Sequence, residues 1–223
     1  MGIMSWMRTI SKSDVTRGRI FQTAMELFRR QGFEATTMRE IAAGAGVAGG
    51  AAYYYFDSKE AIVLAFYSQA QQEIEALAES ALAHKDLKRR LHALLTAKLD
   101  YFAPNRGLLG TLAACANPQH PLSPFGEQTR DIRDHDIALF ARALEGTRVT
   151  VPEDLRPHLP HLLWMYQMGV ILFWIYDRSP GQRRTAVLLD KSIVLVVRLI
   201  RLSVFPLLRP LRRLVVDMLK AVE

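Results

Sequence analysis

The chain has a single cysteine, Cys115, in 223 residues. No intrachain disulfide can form, and a reducing, cytoplasmic location is the simpler expectation. The opening stretch MGIMSWMRTISKSD lacks the apolar core and small-residue cleavage site of a signal peptide, so nothing there is expected to export the chain. No alternating strand pattern, internal repeat or low-complexity tract stands out, which leaves an all-α reading. His158 and His161 stand three apart and Cys115 and His120 five apart, yet no third ligand has a matching spacing, so no metal is expected. An isolated cysteine in an apolar helix reads as packing rather than as a nucleophile. Neither an enzyme nor a cofactor is expected.

Half the residues are apolar, enough for a sizeable core, and 29 basic residues against 22 acidic ones give a formal charge of +7. Such a surplus favours an anionic partner. It is not concentrated at the N-terminus, where residues 1–60 hold eight basic and six acidic side chains. Most of it lies later, in residues such as Arg183, Arg184, Arg198, Arg201, Arg209, Arg212 and Arg213.

Residues 1–13 read as a flexible arm. From about Asp14 to Gln31, Ile20, Ala24, Leu27 and Phe28 recur at helical spacing and Gly32 supplies the stop. Thr37 and Glu40 then have capping-box spacing, placing Ile41, Ala42 and Ala45 inward before a glycine turn at Gly44 and Gly46. A second short helix is expected over Gly49–Tyr54, with Tyr53 and Phe56 in the core, and Asp57 is expected to cap the next helix with Glu60 at its third position. That helix runs to roughly His84 with a stripe of Ile62, Phe66, Ala70, Ile74, Leu77 and Ala81, long enough to connect two domains and transmit a displacement.

Further helices are expected over about 86–103, opened by Asp86 and with a stripe through Leu87, Leu91, Leu94, Leu95, Lys98 and Phe102, then over 107–116 and over 124–145. The last of these has Ser123-Pro124 as cap and first position and buries Ile132, Leu139, Phe140 and Ala143. Helices over 157–177, 183–205 and 207–222 complete the chain.

Gly44-Ala45-Gly46-Val47-Ala48-Gly49 satisfies GxGxxG, the dinucleotide fingerprint. That motif needs a preceding strand, and here a capped helix precedes it, so the nucleotide-binding reading is set aside. Helix, glycine turn and short helix with an aromatic end is instead the layout of a helix-turn-helix. Thr37, Arg39, Glu40, Ile41, Ala42, then Ala45-Gly46-Val47, Gly50, Tyr53, Tyr55-Phe56 and Ser58-Lys59-Glu60 resemble the DNA-binding signature of the TetR family of bacterial transcriptional regulators over roughly residues 15–67.

The resemblance implies a three-helix head, residues 14–58, joined by a long helix to a larger helical domain, residues 59–223, that binds an effector and dimerises. The expected partners are double-stranded operator DNA, a small apolar or aromatic effector and a second copy of the chain, with a repressor the expected role. Thr37, Arg39, Tyr54 and Lys59 are expected to meet phosphates, and Ala48, Gly49, Gly50 and Ala51 to face the groove. Ala48 and Gly49 depart from the family pattern, which usually carries a serine cap and a basic or polar residue there, so direct base readout is expected to be thin.

The segment LPHLLWMYQMGVILFWIY, 159–176, is close to the length that spans a bilayer. Pro160, His161 and Gln167 within it, and Arg198 and Arg201 in the next helix, make a lipid hairpin costly. In the resembled family the last two long helices pair with their copies in a four-helix bundle, which implies Trp164, Met165, Val170, Phe173, Val194 and Val197 at a dimer interface and no membrane. Tyr101, Phe102, Leu112, Cys115, Phe125, Phe140, Tyr166 and Trp174, with His135 and Asp136 as the sparse polar groups, fit either an ordinary core or an effector pocket. The resemblance favours the pocket.

Overall fold

The computed structural model describes residues 11–113 and 117–222, and these divide after Phe66 into two compact units. The expected arm lies outside the described residues as far as position 10. Its last part is not arm at all: Ser11 caps helix α1, Lys12–Gln31, in a reciprocal box with Asp14, whose N–H reaches the Ser11 hydroxyl at 3.0 Å. The helix therefore starts two residues before Asp14.

In the first unit α1 buries Ile20, Phe21, Ala24, Met25, Leu27 and Phe28. Helix α2, Met38–Gly44, begins at the expected box, with Glu40 N–H donating to Thr37 Oγ1 at 3.2 Å and Thr37 N–H donating to Glu40 Oε2 at 2.8 Å. Two glycines then make the turn possible. A Cβ on Gly44 would lie 2.8 Å from Thr23 of α1, and Gly46 takes a φ of +63°. Helix α3, Gly49–Tyr55, follows. Ile20, Ile41 and Ile62 are fully buried, each side chain contributing about 1.5–3 kcal/mol by leaving water.

Helix α4, Lys59–Leu82, is capped by Ser58 and not by Asp57. The Ser58 hydroxyl accepts from Ala61 N–H at 3.1 Å, one position later than the sequence spacing implied. Leu77, expected in its stripe, is exposed, and Ala78 takes the inward place.

The second unit, residues 67–222, is built on α5, Leu87–Phe102, α6, Arg106–Ala113, α7, Arg130–Leu144, α8, Leu159–Tyr176, α9, Arg183–Leu202, and α10, Arg209–Val222. Asp86 caps α5 as expected, accepting from Arg89 N–H at 3.0 Å. Helix α7 starts six residues later than expected. The Ser123 hydroxyl accepts from Phe125 N–H at 3.2 Å and closes a local turn, so 124–129 is irregular; Ile132 is only half-buried.

Helix α8 packs against α6, α7 and α9, and α5 packs against α7 and α9. Two arginines satisfy the free carbonyls at helix ends. Arg90, itself buried, donates to the carbonyls of Arg142, Ala143 and Glu145 at the end of α7. Arg106 donates to those of Trp174, Ile175 and Asp177 at the end of α8. Between α8 and α9, Asp177 accepts from Ser179 N–H and from both the N–H and hydroxyl of Thr185, at 2.8–2.9 Å.

Helix α8 is long and apolar enough to cross a membrane by length and composition. One side of it nevertheless enters the core of this unit through Leu163, Trp164, Gln167, Val170 and Trp174.

Candidate nucleic-acid interface and effector cavity

The head carries α3 as its outward element. Ala52 and Phe56, four apart, define the inner side of that helix and are buried. Ala48, Gly49 and Gly50 are exposed and Ala51 is half-buried. A Cβ on Gly49 or Gly50 would meet nothing within 4 Å, so the fold itself does not require glycine there. Ala48 occupies the N-cap position with extended backbone and no side-chain bond; its carbonyl accepts from Ala51 and Ala52 N–H, and its side chain offers the Gly49 and Gly50 amides no acceptor. Tyr54 is 81% exposed and stands edge-on to Tyr55 at 5.1 Å. Tyr53, expected in the core, is 55% exposed, because the inner side of α3 is filled by Ala52 and Phe56. Sequence reasoning thus missed Tyr53 as a surface candidate, although its place next to Tyr54 on a helix with an alanine inner face was a usable signal.

Thr37 and Arg39 are exposed at the start of α2. Lys59 has a second commitment: its ammonium donates to the Phe33 carbonyl at 2.8 Å and lies over the Phe33 ring at 4.5 Å. The GxGxxG run occupies the turn between α2 and α3, and no strand precedes it among the described residues.

In the second unit a cavity of about 480 Å³ opens among α4 from Tyr67 onward, α5, α6, α7 and α8. Of the residues expected around an effector, Phe102, Leu112, Phe125, His135 and Asp136 line it. Four do not. Phe140 is fully buried beneath the Lys98 ammonium, 5.1 Å from its ring. Tyr166 is tied through its hydroxyl to Ser192 of α9 at 2.6 Å, and Trp174 lies under Arg106 at 5.6 Å. Tyr101 stands edge-on to Phe102, its phenol pushed up to about 12 by partial burial and then by Glu73. Cys115 falls outside the described residues.

Three of the residues assigned to a dimer interface are interior to the single chain. Trp164, Val170 and Val197 are buried in its own core, and Trp164 lines the cavity, edge-on to Phe125 at 5.5 Å. Met165 and Phe173 are exposed and Val194 is half-buried. The cavity wall also holds groups that sequence reasoning did not assign to the site. Lys98, 2% exposed, pairs with Asp136 and with Gln167. Burial pushes the Lys98 ammonium down and the Asp136 carboxylate opposes that shift. The available signal was a lysine standing on the apolar stripe of α5, where an unpaired charge is untenable.

Residues 20–66 match the family model described as bacterial regulatory proteins, tetR family, and residues 90–221 match the one described as tetracyclin repressor-like, C-terminal domain. The chain is 34% identical over 94 residues, 41% of its length, to an HTH-type transcriptional regulator, YerO, from Bacillus subtilis. The match spans 32% of that relative's length. Among solved structures, a TetR-family regulator from Syntrophomonas wolfei superposes with a TM-score of 0.65 at 20% identity, covering 83% of this chain and 96% of the other. The FadR repressor of Thermus thermophilus, crystallised with lauroyl-CoA, gives 0.55 at 26% identity, covering 78% and 92%.

Proposed function

The chain belongs to the TetR family of bacterial transcriptional regulators, and we propose that it works in the cytoplasm as a homodimeric repressor whose hold on operator DNA is released by a small apolar molecule. The observation that carries the DNA-binding part is the capped helix-turn-helix with α3 bare at its tip and two tyrosines, Tyr53 and Tyr54, held out beside it. The exposed Arg39 and the Gly49 and Gly50 amides are the donors offered to phosphate, while Thr37 gives both its N–H and its hydroxyl to Glu40 and orders the start of α2. The exposed alanine and glycines let the backbone approach closely and offer only methyl contacts to bases, so specificity rests on DNA shape and half-site spacing.

A dimer is needed to present two heads to two half-sites. The exposed apolar residues of α8 and α9, Met165, Leu172, Phe173, Leu195 and Leu199, supply a surface for it. The effector-response part is supported by the cavity in the second unit and by a relative of the same fold that holds lauroyl-CoA. An effector that binds the DNA-free state better by a typical coupling of about 1–3 kcal/mol lowers operator affinity roughly 5- to 150-fold.

The test is a gel shift on the DNA adjacent to the protein's own gene, run across a salt series. Binding that weakens steeply with salt, and at least tenfold in a folded Tyr54→Ala variant, is the expected result. Salt-independent binding, or none, sinks the proposal.

A further inference from the structure

The cavity wall is mostly apolar, and one of its polar clusters is closed on itself. Lys98 of α5 donates to Asp136 Oδ1 of α7 and to Gln167 Oε1 of α8, and Gln167 Nε2 donates to Asp136 Oδ2 at 2.6 Å. These three bonds form a ring across three helices. All three line the cavity, but Lys98 and Gln167 are almost wholly buried whereas the Asp136 side chain keeps 24% of its surface, so Asp136 is the most accessible member. A lysine paired with a carboxylate carries no net charge as a unit. An ionised carboxylate has about four lone-pair sites, of which the ring occupies two. What the ring offers a visitor is therefore an acceptor, without spare charge of either sign.

The other ionisable groups of the wall have protein partners, although those of Arg133 are neutral carbonyls, which position its guanidinium without cancelling its charge. Arg133 gives its Nη1 to the carbonyls of Pro124 and Gly126, both at 3.0 Å, and His135 pairs with Glu75 at 2.8 Å. At the ring itself a carboxylate ligand would be set against Asp136 and an ammonium against Lys98, and the uncancelled charge of Arg133 makes a carboxylate probe the one that decides whether charge is excluded. Resting on the reading of the cavity as an effector site, we propose that it takes an uncharged apolar molecule bearing a single hydroxyl, an alcohol or phenol. The O–H donates to Asp136, and the hydrocarbon body lies against Phe125, Trp164 and Leu112. Asp136 is thus a specificity-determining residue.

Calorimetric titration of the full chain with three matched probes, para-propylphenol, propylbenzene and para-propylbenzoate, tests this at neutral pH. The phenol is expected to bind about tenfold or more tightly than propylbenzene, since a hydrogen bond to a charged acceptor is the stronger kind, and the benzoate is expected to bind most weakly. A triple variant, Lys98→Met with Asp136→Leu and Gln167→Leu, removes both charges together and leaves no member of the ring buried without its partners. In it the phenol should lose its advantage while propylbenzene still binds.

Equal binding of phenol and propylbenzene by the wild type, tightest binding of the benzoate, or a phenol preference that survives in the triple variant each overturns the hydroxyl proposal while leaving the cavity reading intact. Binding of none of the three overturns both. The wild-type ranking decides the matter even should the triple variant fail to fold.

Discussion

Lys59 ties the first turn of α4 to the loop before α2: its Nζ donates to the Phe33 carbonyl at 2.8 Å and sits 4.5 Å above the Phe33 ring. The sequence marks Lys59 as a phosphate contact, while the structure gives it a position inside the head. Lys59→Met keeps the stem and removes the donor. The expected loss is about 1–2 kcal/mol of stability in urea unfolding, with DNA affinity falling alongside it. Unchanged stability with a salt slope reduced by about one would return Lys59 to the phosphates.

Ala48 stands at an N-cap position and makes no cap bond. Ala48→Ser supplies the missing acceptor and is expected to raise stability by about 0.5–1 kcal/mol. Gly50→Ala, with nothing within 4 Å of the added carbon, is expected to stabilise by a similar amount. The same methyl is expected to weaken operator binding, because it stands off the backbone from the groove. Thermal unfolding and gel shifts on one preparation compare the two effects; Gly50→Ala that binds as tightly as the wild type counts against a close backbone approach.

Asp177 couples the end of α8 to the start of α9. Burial alone raises its carboxyl, but donation from Ser179 and Thr185 outweighs that and holds it well below the usual carboxylate range. A depressed folded value means the stabilisation is complete above the unfolded value, about 3.9, and is lost as pH falls below it towards the folded one. Asp177→Asn is expected to be less stable than the wild type at neutral pH and to converge with it on acidification below pH ~4. Parallel acid-unfolding curves would show that Asp177 is not the group responsible.

Phe173 on α8 and Leu199 on α9 are 41% and 56% exposed in the single chain. Phe173→Asp and Leu199→Asp, made separately, are expected to convert a dimer to a monomer at micromolar concentration in analytical ultracentrifugation, with helix content retained. Trp164→Ala, by contrast, should damage the core and the cavity, since Trp164 is interior. A dimer that persists in both aspartate variants places the interface elsewhere.

The parts of this molecule legible in the sequence are those made by residues three or four apart. Thr37 with Glu40, Asp86 with Arg89 N–H, and the inward spacing of Ile20, Ala24, Leu27 and Phe28 stand where the sequence put them. The misplacements have local causes too: Ser58 was a better-positioned cap than Asp57, and the Ser123 hydroxyl closed a turn instead of opening a helix. Aromatic residues were the least legible. Tyr53 had two available sides on a short helix, and Trp164 belongs to a helix so uniformly apolar that its sequence has no preferred face.

The sequence by itself determined an all-α chain with a capped helix-turn-helix near its start, because caps, glycine turns and helical stripes are short-range physics. Tertiary structure alone decided the inner wall of the second unit. Lys98, Asp136 and Gln167 come from three helices, 38 and 31 residues apart along the chain, and no local pattern couples them. They meet because a lysine on an apolar stripe must find both a carboxylate and an amide when α5, α7 and α8 pack, and only that packing says which ones.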